Sequence, residues 1–281
     1  MSRPITAILL DLDDTILYDD LATDRAFAAT AAHARRVAGV DPERLIAAVT
    51  GEAARIWWEE GPFPEWCEQI GTSELEGLRS RFAGDDPHWA AMRAWGPGFR
   101  RRAWRAALAA CGIVDAELAD DLDARFEAER AAMNLFIPGA QDALAALAGA
   151  YRLAIVTNGI PDVQREKLVR TGLDRQVDVV VVSGELGVGK PDPRIYEAAL
   201  HGVGATADEA LMVGDSFARD VAGAQAVGIR AAWIADGRSR PDPTVIPFLT
   251  VASLADLPAV LSASPVGDRP VREPWHPECP T

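Results

Sequence analysis

The chain has 281 residues, 49% of them hydrophobic, with 28 Lys and Arg against 42 Asp and Glu and a net charge of −14. Such a length and apolar content are enough for two domains of ordinary size and exclude disorder as the default state. The negative balance excludes a nucleic-acid polymer or an anionic membrane surface as the expected partner, since both bind a positive footprint, so an anionic ligand must be held by a local cation.

The three cysteines, Cys67, Cys111 and Cys279, are widely spaced and form no Cys-x-x-Cys pair. This argues against a disulfide framework or a zinc site and fits a reducing cytoplasm. Residues 1–4 lead straight into an apolar segment with no signal peptide. No apolar run approaches the roughly 18 residues that span a bilayer, so a cytoplasmic protein is expected.

Residues 5–10 are apolar on both faces, as in a strand buried inside a parallel sheet, and the run ends in Asp11, Asp13 and Asp14. Open α/β sheets bind ligands at the carboxyl ends of their strands. Three crowded acids repel one another unless a cation sits among them, and hard oxygen ligands suit Mg2+. Taken alone, the same residues also read as a turn in which Asp and Thr cap backbone N–H groups.

After Leu17 the α/β rhythm stops for about 120 residues, far longer than an ordinary crossover, which predicts an insertion. Its spacing predicts an all-α segment with helices over 22–38, 42–58, 73–83, 99–111 and 115–134. Six of the eight tryptophans fall there (Trp57, Trp58, Trp66, Trp89, Trp95 and Trp104), as the core of a small helical domain requires. The turn at 61–64 beside Trp57 and Trp58 is placed to set an aromatic wall over a site. Arg100, Arg101 and Arg102 cannot share one helix face and read as solvated. His33, His88, His201 and His276 lie near no motif and read as surface or packing residues.

From Pro138 the rhythm returns. A helix over 140–150 precedes a strand over 152–157 that ends in Thr157-Asn158-Gly159. A helix opens at Pro161, and residues 177–183 form a β-branched strand. A glycine-containing loop delivers Lys190, with Pro191 read as the start of the next helix. Strands follow over 210–214, ending in Asp215-Ser216, and 230–235, with 248–251 as a candidate sixth; Asp220 falls in the first turn of the helix after Asp215. Strands alternating with helices predict an α/β fold, a doubly wound parallel sheet with an inserted all-α segment. The expected division is 1–17 with 137–261 as a Rossmann-like core, 18–136 as a helical cap and 262–281 as a Pro-rich tail.

Asp11 with Asp13, Thr157, Lys190, and Asp215 with Asp220 all fall at strand ends or in the loops that follow them, and so converge on one edge of one sheet. Each singly has a capping or solvated reading; jointly they do not, because capping requires no lysine. In this order, Asp11-Leu12-Asp13-Asp14-Thr15, Thr157-Asn158-Gly159, Lys190-Pro191 and Gly214-Asp215-Ser216 to Asp220 resemble the four motifs of the haloacid dehalogenase superfamily. The helical insert between the first two motifs is similar to that superfamily's type-one cap.

The resemblance implies that Asp11 is a nucleophile forming an aspartyl-phosphate and that Asp13 is the general acid and then the base. It implies that Thr157, Asn158 through its N–H, and Lys190 hold the phosphoryl group. Mg2+ is then held by Asp11, the Asp13 carbonyl and Asp215, with Asp220 orienting the metal's waters. The expected function is a Mg2+-dependent phosphatase acting on a small phosphorylated metabolite such as a sugar phosphate or nucleoside monophosphate. The 156–159 run, the 187–192 loop and the Gly-Asp-Ser-x-x-x-Asp spacing look most like the branch with pyrimidine 5'-nucleotidases and acylneuraminate 9-phosphate phosphatases.

The competing readings are a 2-haloacid dehalogenase, a signalling receiver domain and a phospholigand-binding pseudoenzyme. A halide leaving group needs no proton donor, so Asp13 argues against the first; the receiver is much shorter and lacks the insert. Oligomeric state is not legible in the sequence.

Overall fold

The structure, a computed structural model, describes residues 3–263. Most of the expected tail, with His276 and Cys279, lies outside the described residues. The chain opens with β1 (Ala7–Leu10) and β2 (Leu17–Tyr18). Six helices follow: α1 (Asp20–Ala38), α2 (Pro42–Glu60), α3 (Pro64–Ile70), α4 (Glu74–Gly77), α5 (Pro87–Ala110) and α6 (Ala116–Ala132). Then come β3 (Leu135–Phe136), α7 (Ala140–Ala148), β4 (Arg152–Thr157), α8 (Pro161–Thr171), β5 (Val179–Val182), α9 (Ser183–Leu186) and α10 (Pro193–Val203). The series closes with β6 (Ala210–Gly214), α11 (Gly223–Ala226), β7 (Arg230–Ile234), β8 (Leu249–Val251) and α12 (Leu257–Ala263).

Six of the strands make one parallel sheet in the order β5-β4-β1-β6-β7-β8, and β2 pairs antiparallel with β3. The doubly wound sheet read from the strand–helix alternation is therefore present, including its sixth strand. β1 is central, paired on one side with β4 and on the other with β6. Because side chains alternate across a strand, Ala7 and Leu9 enter the core on one face of the sheet while Ile8 and Leu10 enter the core on the other. Burial on both faces explains why the run is apolar throughout and not alternating.

The helices between β2 and β3 form a third apolar cluster around Phe27, Trp57, Trp89, Phe99, Trp104 and Phe126, with α2 packed along α5 and α1 along α6. Ile160 and Val163, from the start of α8, join that cluster and tie it to the sheet region.

Several boundaries differ from the sequence expectation. The helix expected over 99–111 instead begins at Pro87 and runs through Gly96-Pro97-Gly98, because Trp89, Met92, Gly96, Phe99 and Ala103 form one continuous buried stripe at spacings of three and four. Only Glu74–Gly77 of the expected 73–83 helix is helical. Beyond it Ser80 Oγ and the Arg81 N–H both donate to Asp162 of α8, at 2.9 and 2.7 Å, which holds the chain in a loop. The helix expected at Pro191 starts at Pro193, where Asp192 accepts the Arg194 N–H as its cap. Ser262 and Ala263 belong to α12, so helix replaces the first two residues of the expected tail. Arg100 is not solvated: it donates to the Ser80 carbonyl and pairs with Asp123 at 3.4 Å.

Leu9 is fully buried at the centre of the sheet. Leu9→Ala is expected to cost about 2–5 kcal/mol, the range for a core leucine truncation. Urea unfolding followed by circular dichroism measures it, and a loss well under this range contradicts the placement.

Candidate active site

Asp11 and Asp215 directly follow β1 and β6, Thr157 ends β4, Lys190 comes from the loop after α9, and Asp220 from the turn beyond Asp215. Asp11 follows β1, its N–H donating to Val213 O of β6 at 2.9 Å, and its carboxylate is almost completely buried. Lys190 Nζ donates to Asp11 Oδ1 at 2.6 Å and to Asp220 Oδ1 at 2.7 Å, with all three side chains buried. Thr15 Oγ1 donates to the second Asp11 oxygen at 3.3 Å. Asp220 lies in a one-turn π-helical segment, Phe217–Ala222, not in an α-helix, and its Oδ2 accepts the Ser216 N–H at 2.9 Å. Such single π turns are found at functional sites.

Asn158 clamps the Lys190 main chain in both directions: its Oδ1 accepts the Lys190 N–H at 2.7 Å and its Nδ2 donates to the Lys190 carbonyl at 2.9 Å. The Asn158 side chain is thus occupied in shaping the lysine loop. Gly71, at φ +68°, lets the end of α3 come up against it, since a Cβ there would lie 2.3 Å from Asn158 Nδ2. Thr157, at the end of β4, is buried, and its hydroxyl donates to the Asn158 carbonyl at 3.3 Å.

Asp215 follows β6 and pairs through Oδ2 with Arg238 at 3.2 Å. The carboxylates of Asp11, Asp215 and Asp220 each offer an oxygen, and these three atoms lie within 4.8 Å of one another. Burial raises the pKa of both Asp215 and Asp220, and the Asp11 charge adds to the rise. Lys190 and Arg238 together leave one negative charge in excess among three acids so close, so a divalent cation with oxygen ligands fits the excess charge and the donor set.

The Asp13 carboxylate stands apart from that triad. Lys167 Nζ of α8 donates to Asp13 Oδ1 at 2.8 Å, and Gln164 Nε2 donates to Oδ2 at 3.0 Å. Lys167 also pairs with Asp19 at 2.6 Å, and Asp19 pairs in turn with Arg130. Burial raises the Asp13 pKa, and Lys167 only partly opposes it. Burial also pushes the Asp19 carboxyl upward, but Lys167 and Arg130 together outweigh it and hold the group well below the usual range. Asp14, at φ +54°, accepts the N–H groups of Asp19 and Asp20 at 3.0 and 3.4 Å where α1 begins, so this acid of the first motif is a cap.

Over Asp13 opens a cleft of about 590 Å³ whose walls include Asp19, Trp58, Glu68, Thr72, Glu76, Gln164 and Arg219. Of the two tryptophans expected to form an aromatic wall, Trp58 lines the cleft while Trp57 is in the helical core. Lys167, Gln164, Asp19, Glu76 and Arg238 are the site residues the sequence reading missed. A signal existed for two of them: Val163, Gln164, Lys167 and Leu168 form the buried face of α8, and polar residues on a core-facing stripe need buried partners.

The model of the haloacid dehalogenase-like hydrolases matches residues 5–228, and the chain belongs to that family of hydrolases. It is 42% identical over 254 residues to a phosphoserine phosphatase of Thermus thermophilus, covering 89% of this chain and 96% of the relative. It is 37% identical over 127 residues to a pyrimidine 5'-nucleotidase of Escherichia coli, covering 44% of this chain and 56% of that one. Among solved structures, a 2-haloacid dehalogenase from Pseudomonas syringae pv. Tomato superposes with TM-score 0.59 at 26% identity, covering 92% of this chain and 98% of that one.

Burial also lifts the Glu76 pKa from 4.5 to about 7, partly offset by Lys167 and the Thr72 hydroxyl. A carboxyl whose pKa rises on folding binds its proton more tightly in the folded chain. The folded state therefore loses stability as pH climbs from 4.5 towards 7. Glu76→Gln mimics the protonated group, so its melting temperature relative to the parent is expected to rise between about pH 5 and about pH 8. Scanning calorimetry tests this; a pH-independent difference contradicts it.

Proposed function

We propose that the chain is a Mg2+-dependent phosphatase that hydrolyses a small phosphomonoester through an aspartyl-phosphate on Asp11. The observation that carries this reading is the buried Asp11–Lys190 contact of 2.6 Å with Asp13 held separately two residues on. A phosphate dianion repels a carboxylate nucleophile, so attack needs positive charge on the incoming group. Lys190 supplies part of it. Asp11, the Asp13 carbonyl and Asp215 are suited to hold Mg2+, with Asp220 fixing Lys190 and orienting the metal's waters; when bound, the ion neutralises charge on the phosphoryl oxygens.

In the first half-reaction an Asp11 oxygen forms a bond to phosphorus as the ester P–O bond breaks. Asp13 gives its proton to the departing alkoxide, which leaves as the alcohol. In the second, Asp13 removes a proton from water, the new hydroxyl oxygen bonds to phosphorus, and phosphate leaves with Asp11 restored as carboxylate. Thr157 and the Asn158 N–H hold phosphoryl oxygens. The raised pKa of Asp13 suits a group that must start protonated beside an ionised Asp11.

Residues 18–136 act in this reading as a cap over the core of 1–17 and 137–261, with the leaving group in the cleft between them. That confines the substrate to small esters, because closure must exclude water. Relatives named for phosphoserine, pyrimidine nucleotides and glyceraldehyde 3-phosphate set the range of esters to try. Cys67 and Cys111 are free thiols, which suits a reducing cytoplasm, and among the described residues no helix is long and apolar enough to cross a membrane.

Phosphate release from a panel of small esters, with Mg2+ and with chelator, tests the proposal. Release is expected to require both Mg2+ and Asp11, and Asp13→Asn is expected to lower turnover at least about a hundredfold, the scale of a lost general acid. Asp11→Asn at parental rate, or near-normal turnover by Asp13→Asn, contradicts it.

A further inference from the structure

We propose that the cleft above Asp13 selects a leaving group bearing an ammonium ion, so that the substrate is a phosphorylated amine, with Glu76 and Gln164 as its receptors. This rests on the phosphatase reading, which places the leaving group in that cleft.

The charges of the lining are unequally balanced. Asp13 and Asp19 share Lys167, and Asp19 has Arg130 as well. Glu76 has only neutral hydrogen-bond partners: the Thr72 hydroxyl at 2.8 Å, the Gln164 carboxamide at 2.9 Å and the Ile160 N–H at 3.3 Å. Glu68, exposed in the same wall, adds a second carboxylate. The guanidinium in the lining is that of Arg219, which is exposed.

An independent observation points the same way. Gln164 is 1% exposed and lines the cleft. Its Nε2 faces three acceptors, Asp13 Oδ2, Glu76 Oε1 and the Asn158 carbonyl, at 3.0, 2.9 and 3.2 Å, which fixes the orientation of the amide. Its Oε1 is then left as a buried acceptor with no partner among the described residues. A buried acceptor without a donor is costly, and what is missing is a donor. An ammonium group carries three donors and no acceptor, and it would give Glu76 the direct ion pair that none of the described residues makes with it. Burial raises the Glu76 pKa, and the Lys167 charge only partly opposes it. A sugar hydroxyl satisfies the acceptor but not the charge, and a carboxylate or second phosphate is repelled by both.

The test uses three two-carbon esters that differ only at the far end: ethanolamine phosphate, ethylene glycol monophosphate and phosphoglycolate, which end in a cation, a neutral hydroxyl and an anion. The expected order of kcat/KM follows that sequence, with the amine preferred over the alcohol by about tenfold or more, the worth of a charge-assisted hydrogen bond. Glu76→Gln is expected to collapse the amine-to-alcohol ratio by about tenfold, a ratio being insensitive to any general loss of activity. Equal rates for the three esters in the parent protein, or an unchanged ratio in Glu76→Gln, overturn the inference. Should Glu76→Gln fail to fold, Glu68→Gln at its exposed site is expected to lower the same ratio by a smaller factor, and the parent's ranking alone still decides. p-Nitrophenyl phosphate separates the two readings: hydrolysis of it without an amine preference removes this inference only, whereas no hydrolysis of any ester removes the phosphatase reading beneath it.

Discussion

The ammonium of Lys190 is the constraint on which the site depends. It lies buried between Asp11 and Asp220, carboxylates beyond β1 and β6, on the loop after α9 that is fixed by Asn158 after β4. Charges of one sign at the ends of adjacent parallel strands are unfavourable in a dry environment, and removing one partner of such a buried pair costs about 3–5 kcal/mol. The lysine therefore sets the relative position of the strand ends as much as it serves any chemistry. Even with Arg238 paired to Asp215, a surplus of negative charge remains among Asp11, Asp215 and Asp220, and that surplus is the basis for expecting a divalent cation.

A second lysine organises the other half of the site. Lys167 joins Asp13, at the end of the sheet, to Asp19, at the start of the helical segment, and Gln164 one turn earlier joins Asp13 to Glu76. The proposed acid is thus held by the same short stretch of α8 that contacts the helices above it. Val163 from that stretch enters the helical core, so packing and polar contacts fix the same junction. In the proposed mechanism this arrangement lets the fit of the leaving group bear on the placement of the proton donor.

How much of this could be read from the sequence follows from how local each determinant is. The sheet was legible because burial on both faces makes residues such as Ile8, Leu9 and Leu10 continuously apolar. The acids, Thr157 and Lys190 were legible because each ends a strand or falls in the connection just beyond one, within about eight residues of it. The partners that come from elsewhere were not: Glu76 meets Gln164 across 88 positions, and Lys167 meets Asp13 across 154. The continuity of α5 through Gly96-Pro97-Gly98 was hidden for a related reason, since local propensity argues for a break and only the tertiary stripe from Trp89 to Ala103 overrides it. Asp14 shows the opposite case, where the plain capping explanation, available from the start, is the one the structure gives.

The central claim is that Asp11 carries the phosphoryl group during turnover. Borohydride reduces an aspartyl-phosphate to homoserine, so quenching the enzyme with it during steady-state hydrolysis of an accepted ester, followed by peptide mass mapping, tests the claim directly. The account predicts homoserine at position 11, dependent on substrate and absent in Asp11→Asn. An unmodified Asp11 under conditions of rapid phosphate release, or modification at another residue, would contradict it.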